Sequence, residues 1–165
     1  MFDLKSKIIL ITGGAGLLGS RLAEIILLNN GVPIILDNNL KKIASLKKKF
    51  KNNNSINFYK VDISNKKQIK NTINKVHNKF KKIDCLINNA GYNPILGSKN
   101  NKFENFSIEQ WNKEIQIGLT GSLVVTQEVV KKMIKQKNGN IINISSDLGV
   151  IAPNQSLYEK DSKKP

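Results

Sequence analysis

Gly13, Gly16 and Gly19 stand at three-residue intervals in "ITGGAGLLG" (Ile11–Gly19), directly after the apolar run "IILIT" and directly before a stretch of helical periodicity. A glycine-rich turn between a strand and a helix can cradle a pyrophosphate. The first glycine permits the tight turn, the second lets backbone approach the phosphates, and the third lets the helix pack close to the strand. The free amides and the dipole of the helix N-terminus then favour the anion. Leu18, in the first turn of that helix, is counted with the three glycines as cofactor-binding. Asp37 closes the next apolar run about 20 residues further on, where a carboxylate can accept both hydroxyls of an adenosine ribose and repels a 2′-phosphate. Together these residues predict a dinucleotide site that takes NAD in preference to NADP. NADP stays possible, because Lys41 and Lys42 lie close by. The plainer alternative is that Asp37 only caps the loop "DNNLKK".

The elements that must position these groups follow from the apolar pattern. Ile8–Thr12 reads as a strand. A helix is expected from about Leu17 to Leu28, with Leu18, Leu22, Ile25 and Ile26 at helical spacing, stopped by Asn29, Asn30 and Gly31. Val32–Leu36 is a second strand, with Pro33 near its start or at a sheet edge. Leu40–Phe50 is a lysine-rich helix, Ile56–Val61 a third strand, and Ser64 the expected N-cap of a helix running to about Phe80. Asp84–Asn88 is a fourth strand. A long helix is expected over 108–136, capped by Ser107 and stopped by Asn138 and Gly139, with Trp111, Ile115, Leu119, Val125, Val129 and Met133 among its apolar positions. Asn140–Ser145 is a fifth strand. Strands alternating with helices predict an α/β fold: a Rossmann-type doubly wound parallel sheet in a single dinucleotide-binding domain over 1–165. The loop Tyr92–Phe106 is long and follows the carboxyl end of a strand, the edge at which such sheets hold ligands.

Composition narrows the class. No apolar run approaches the roughly 20 residues a spanning helix needs, so no membrane span is expected. Cys85 is the only cysteine, which excludes an internal disulfide and fits a reducing cytoplasm. The net charge of +15 invites a nucleic-acid reading. Against it, the basic residues are almost all lysines scattered among asparagines, and Arg21 is the only arginine, although arginine is the residue suited to bidentate phosphate and base contacts. No nucleic-acid partner is expected.

Four segments together resemble the short-chain dehydrogenase/reductases: "TGGAGLLG" (Thr12–Gly19), "VDIS" (Val61–Ser64), "NNAG" (Asn88–Gly91) and "GNIINISS" (Gly139–Ser146). Their order and spacing cover nearly the whole chain. The resemblance implies that Asp62 accepts from the adenine amino group, with Ile63 packing on the ring or donating its backbone amide, and that Asn89, Ala90 and Gly91 lie along the cofactor ribose. It implies that Ser146 stabilises a carbonyl or alcohol substrate and that the long helix 108–136 forms a homo-oligomer interface. The bland reading of Ser146 is a hydroxyl capping the turn at Asp147. The glycine spacing TGxxGxxG is commoner in the extended branch of that family, whereas "NNAG" fits the compact branch. Gly118 stands where an asparagine usually supports a proton-relay water. "IGLTGSL" and "SSDLGVIAPNQSLY" are faintly similar to members that modify bacterial surface sugars and flagellin.

The resemblance also implies a tyrosine acting as general acid/base, with a lysine one helical turn later to lower its pKa. Tyr158 follows Ser146, but its i+4 position is Ser162. Lys163 falls one residue further on, rotated off the tyrosine's face on any helix. An unassisted tyrosine near pKa 10 is a poor proton donor. The tyrosine–lysine pair is therefore expected beyond residue 165, with the fold cut after its fifth strand and Val124, Val125, Val129 and Met133 left as an exposed apolar stripe. Two functions compete: an NAD(P)-dependent oxidoreductase of which this is the cofactor part, and a non-catalytic dinucleotide-binding module or truncated product.

Overall fold

The computed structural model describes residues 3–92 and 105–151. All five residues of β1 (Ile8–Thr12) are buried. Such a run marks a strand covered on both faces, and β1 lies at the centre of the sheet. β2 (Val32–Asp37), β3 (Asn57–Lys60), β4 (Cys85–Asn88) and β5 (Asn140–Asn143) complete it in the order β3–β2–β1–β4–β5, every pair parallel. Pro33 sits second in β2, ahead of the point at which β3 begins to pair at Ile34.

The alternation of side chains divides the core in two. Leu10, Ile34, Leu36 and Leu86 pack with Ile69, Ile73 and Val76 of α3 (Lys66–Phe80) and with Val125 and Val129 of α5 (Ser122–Gln136). Ile9, Ile11, Ile35 and Ile87 pack on the other face with Ala23 and Ile26 of α1 (Leu17–Leu28) and Leu46 of α2 (Leu40–Lys49). The order reverses between β1 and β4, because the chain passes from β3 over to β4. The carboxyl ends of the two central strands therefore open into a crevice.

Several expectations need correction. The N-cap of α3 is Asn65, whose side chain accepts from the Gln68 amide, not Ser64. Ser64 instead turns back, its backbone and hydroxyl both donating to Asp62. The stripe read on α1 is only partly core. Gly19, Ala23 and Ile26 are buried, whereas Leu18 and Ile25 stay about half exposed. The long helix is not uniform: α4 (Ile108–Ile115) passes through a π-helical turn, Gln116–Gly121, into α5. Within that turn Gly121 lies so close to the strand-three loop that a Cβ would stand 2.9 Å from the Ile63 carbonyl oxygen. The wider turn resets the facing of the helix. Val125, Val129 and Met133 are buried against α3 and the sheet rather than exposed, while Ile108, Trp111, Leu119, Leu123 and Ile134 are the exposed apolar residues. Tyr158, Ser162, Lys163 and most of the loop Tyr92–Phe106 lie outside the described residues. Among the described residues no helix is long and apolar enough to cross a membrane.

Candidate active site

The glycine turn leaves β1 with Gly13 at φ +61°, a backbone conformation that favours glycine. A Cβ at Gly19 would stand 2.5 Å from the Gly13 carbonyl oxygen and 2.7 Å from Gly14 Cα, so the helix can approach the turn only without a side chain there. At Gly16 a Cβ would meet only the Gly13 carbonyl oxygen, at 3.1 Å, and the space beyond is open. Gly16 is also the N-cap of α1. No side chain caps that helix and no acid lies in its first turn. By contrast, Asn39, Asn65 and Ser107 cap α2, α3 and α4 with side-chain acceptors. The amides of α1 are thus left for an anion from outside.

Thr12 fixes the turn to the end of β4. Its fully buried hydroxyl accepts from the backbone amides of Asn89 at 3.0 Å and Ala90 at 3.1 Å. The Asn89 side chain answers by donating to the carbonyls of Thr12 at 3.0 Å and Gly13 at 3.2 Å. Deeper in the sheet, the Asn88 side-chain amide donates to the Thr126 hydroxyl and the Asn143 side chain, tying β4 to α5 and β5. In Thr12→Val the Asn89 and Ala90 amides lose a buried acceptor. The variant is expected to be about 1–3 kcal/mol less stable, read as the shift of the urea unfolding midpoint, and an unchanged midpoint would contradict this account.

Around this turn lies a cleft of about 590 Å³, lined by Gly13, Gly16, Leu18, Asp37, Asp62, Ile63, Asn89, Ala90 and Gly91, among others. Gly19 stands behind the lining, against the turn. Asp37 is buried. One of its oxygens accepts from the Ala15 amide at 3.0 Å and the other from the Asn39 amide at 2.9 Å. It therefore does cap its loop, and it also holds a carboxylate in the cleft wall. Asp62 is oriented by Ser64, and its backbone amide donates to Gln68. Ser146 is not among the lining residues. It lies past the carboxyl end of β5, exposed, with its hydroxyl donating to Asp147 at 3.1 Å, and its carbonyl accepts from the Gly149 amide. β5 runs beside β4 in a register that pairs Asn88 with Asn143, so Ser146 follows β5 as Gly91 follows β4.

The sequence reading missed part of the wall. Asn38, Asn39, Tyr92 and Ile117 also line the cleft. Tyr92 carries the Lys113 ammonium 4.6 Å from its ring centroid. Ile117 reaches the cleft from the π-helical turn. No local pattern marks a residue delivered to the cleft from a distant helix.

A doubly wound parallel sheet with a glycine turn at its switch point is a Rossmann-type domain, and the comparisons with known proteins place it more closely. The model of the short chain dehydrogenase family matches residues 7–160, and the chain belongs to that family. It is 34% identical over 160 residues to post-translational flagellin modification protein A of Campylobacter coli, a match covering 94% of this chain and 61% of that protein. It is 32% identical over 157 residues to the 3-oxoacyl-(acyl-carrier-protein) reductase of Thermotoga maritima, covering 94% of this chain and 62% of that one. Among solved structures, NAD+-bound xylitol dehydrogenase superposes with a TM-score of 0.83 at 25% identity, over 92% of this chain and 57% of that one. The chain spans about three fifths of the length of the curated relatives it matches.

Proposed function

We propose that this chain is the cofactor-binding part of an NAD(P)-dependent oxidoreductase that moves a hydride between nicotinamide and the carbonyl or hydroxyl carbon of a small substrate. The observation that carries the reading is the meeting, in one cleft, of an uncapped helix N-terminus behind a glycine turn and a buried carboxylate at the end of the neighbouring strand. In this reading the pyrophosphate lies on Gly13, Gly16 and the first turn of α1 with Leu18, and Gly19 keeps that helix close. Asp37 receives the adenosine ribose hydroxyls, and Asp62 and Ile63 hold the adenine. Asn89, Ala90 and Gly91 flank the other ribose, and Ser146 orients the substrate oxygen. The nicotinamide supplies the hydride when bound. The chain's own groups position the two partners and supply a polar contact to the oxygen that gains or loses charge. Two structural relatives match this cofactor class by their printed descriptions: the NAD+-bound xylitol dehydrogenase, and a gluconate 5-dehydrogenase from Burkholderia cenocepacia in complex with NADP and tartrate (TM-score 0.79, 27% identity, 92% of this chain and 58% of that one). Calorimetric titration with NAD tests the reading, and no binding at millimolar NAD would refute it.

Asp37 should set the choice of dinucleotide. The unaltered chain is expected to prefer NAD, because a carboxylate at the ribose repels a 2′-phosphate. Asp37→Ser is expected to shift the ratio of the two dissociation constants toward NADP by about tenfold, or ~1.4 kcal/mol. Lys42 remains in the cleft wall as a cation. The substitution also removes the acceptor of the Ala15 and Asn39 amides, so the ratio at one salt concentration is the informative quantity. Tighter NADP binding by the unaltered chain would contradict the assignment.

A further inference from the structure

The positive charge of the chain is unevenly placed. Residues 38–83, which pass from β2 through α2, β3 and α3 toward β4, hold 14 lysines and a single acid, Asp62. The rest of the chain holds 13 basic and 11 acidic residues. Nearly all of the net charge of +15 therefore sits on the β3 side of the sheet.

The fold makes one surface of it. β3 is an outermost strand. α2 packs on one face of the sheet through Leu46, and α3 on the other through Ile69, Ile73 and Val76. Both helices place a lysine on the start of β3. The Lys47 ammonium of α2 stands 5.7 Å from the Phe58 ring centroid, and Lys79 of α3 donates to the Asn57 side chain. Lys48 and Lys51 lie at and just past the end of α2, and Lys75 and Lys81 near and at the end of α3. All six lysines are exposed, and none forms an ion pair among the described residues. Lys49 and Lys82, by contrast, are paired with Glu24 and Asp84. A crossover helix between parallel strands ends near the start of the next strand. The surface therefore lies at the amino ends of the strands, away from the cleft at their carboxyl ends.

Its chemistry narrows the partner. Lysine is a point charge on a flexible stem and lacks the planar fork that grips a phosphate or a base bidentately. The only arginine, Arg21, lies outside this stretch. Single-stranded nucleic acid is held by bases stacking on open aromatic rings. Here Phe50, Phe58 and Phe80 are half-buried, and each carries a lysine ammonium over its ring. Within residues 38–83 Leu40 is the one large apolar residue that is exposed, so the surface has little to insert into an acyl layer. What it offers is a field of ammonium groups wrapped around a sheet edge, which suits a plane of negative headgroups.

We infer that the lysine surface around the start of β3 docks this chain on an anionic lipid surface by headgroup contact, with the nucleotide cleft turned away from the bilayer. The inference rests on neither the proposed cofactor nor the proposed reaction.

The test is flotation of the 165-residue chain with phosphatidylcholine vesicles containing about 30% phosphatidylserine, against phosphatidylcholine alone. Binding to the anionic vesicles only is expected, and it should weaken at least about tenfold between roughly 0.05 and 0.5 M salt as the charges are screened. Lys48→Glu with Lys51→Glu, and Lys75→Glu with Lys81→Glu, should each lower the partition coefficient at least about tenfold. Lys5→Glu with Lys137→Glu makes the same change of net charge outside residues 38–83 and should lower it less than about threefold. Circular dichroism and NAD titration of each pair separate loss of docking from loss of fold or of the nucleotide site. Equal losses in all three pairs would show that net charge alone acts, and would overturn the inference. So would equal binding to both kinds of vesicle, or binding to neither. Retention on duplex DNA or single-stranded RNA at about 0.15 M salt, where the anionic vesicles no longer bind, would reassign the surface to nucleic acid.

Discussion

Gly16→Val is expected to abolish NAD binding while leaving the chain folded. The three glycines of the turn are constrained in different ways. At Gly19 an added Cβ meets backbone at 2.5 and 2.7 Å, so even Gly19→Ala must push α1 off the turn. At Gly13 the positive φ and a Cβ–Ala90 Cα separation of 2.9 Å act together. At Gly16 a Cβ has a single neighbour, at 3.1 Å, and then open cleft. The protein's own packing explains two of the glycines and does not require the third, as expected if Gly16 serves the proposed phosphate contact. Gly16→Val should weaken NAD by at least ~100-fold, about 2.7 kcal/mol, with an unfolding midpoint close to that of the unaltered chain. Gly19→Ala should instead lose about 1–3 kcal/mol of stability as an overpacked site. Calorimetry and urea denaturation on both variants read the two effects separately. Unchanged NAD affinity in Gly16→Val would remove the phosphate role from this turn.

The sheet was legible because its central strands carry signals that little can override. "IILIT" and "VPIIL" are short β-branched runs bounded by breakers, and both became buried parallel strands. The bounds of α1 matched because Gly16 and Asn29 punctuate it on both sides. Periodicity locates an apolar stripe, but it does not say which part of the stripe meets protein. Leu18 and Ile25 share the helical spacing of Ile26, yet both stay about half exposed, and Leu18 lines the cleft. The π-helical turn was hidden for a related reason. The glycines at 118 and 121 are visible in the sequence, but the widening accommodates the contact of Gly121 with Ile63, a residue more than fifty positions away. The cleft followed from motif positions, since the ends of β1, β2, β3 and β4 must meet at one edge of a parallel sheet. Its outer wall at Tyr92 and Ile117 did not, because helix packing delivers those residues there.

The 165-residue chain is expected to bind NAD and to show no measurable hydride transfer. Reduction of a carbonyl needs a proton delivered to the oxygen as the hydride reaches the carbon. A positioned general acid contributes about 10²–10⁴-fold to such a step, and it does so only with a pKa near the working pH. Ser146, past the end of β5 and outside the lining of the cleft, can donate a hydrogen bond but is a far weaker acid than a tyrosine beside a cation. Its hydroxyl donates to the Asp147 side chain at 3.1 Å. Tyr158 has serine, not lysine, at i+4, the position where the family's mechanism needs a cation. Gly118 adds no side chain near the π-helical turn that could hold a relay water. The assay is NADH oxidation across a broad panel of carbonyl compounds, run on the unaltered chain and on Tyr158→Phe, with NAD titration confirming that both bind. Equal background rates are expected. Turnover in the unaltered chain that vanishes in Tyr158→Phe would make Tyr158 the proton donor despite Ser162. Turnover that survives Tyr158→Phe and vanishes in Ser146→Ala would place the proton chemistry on the serine.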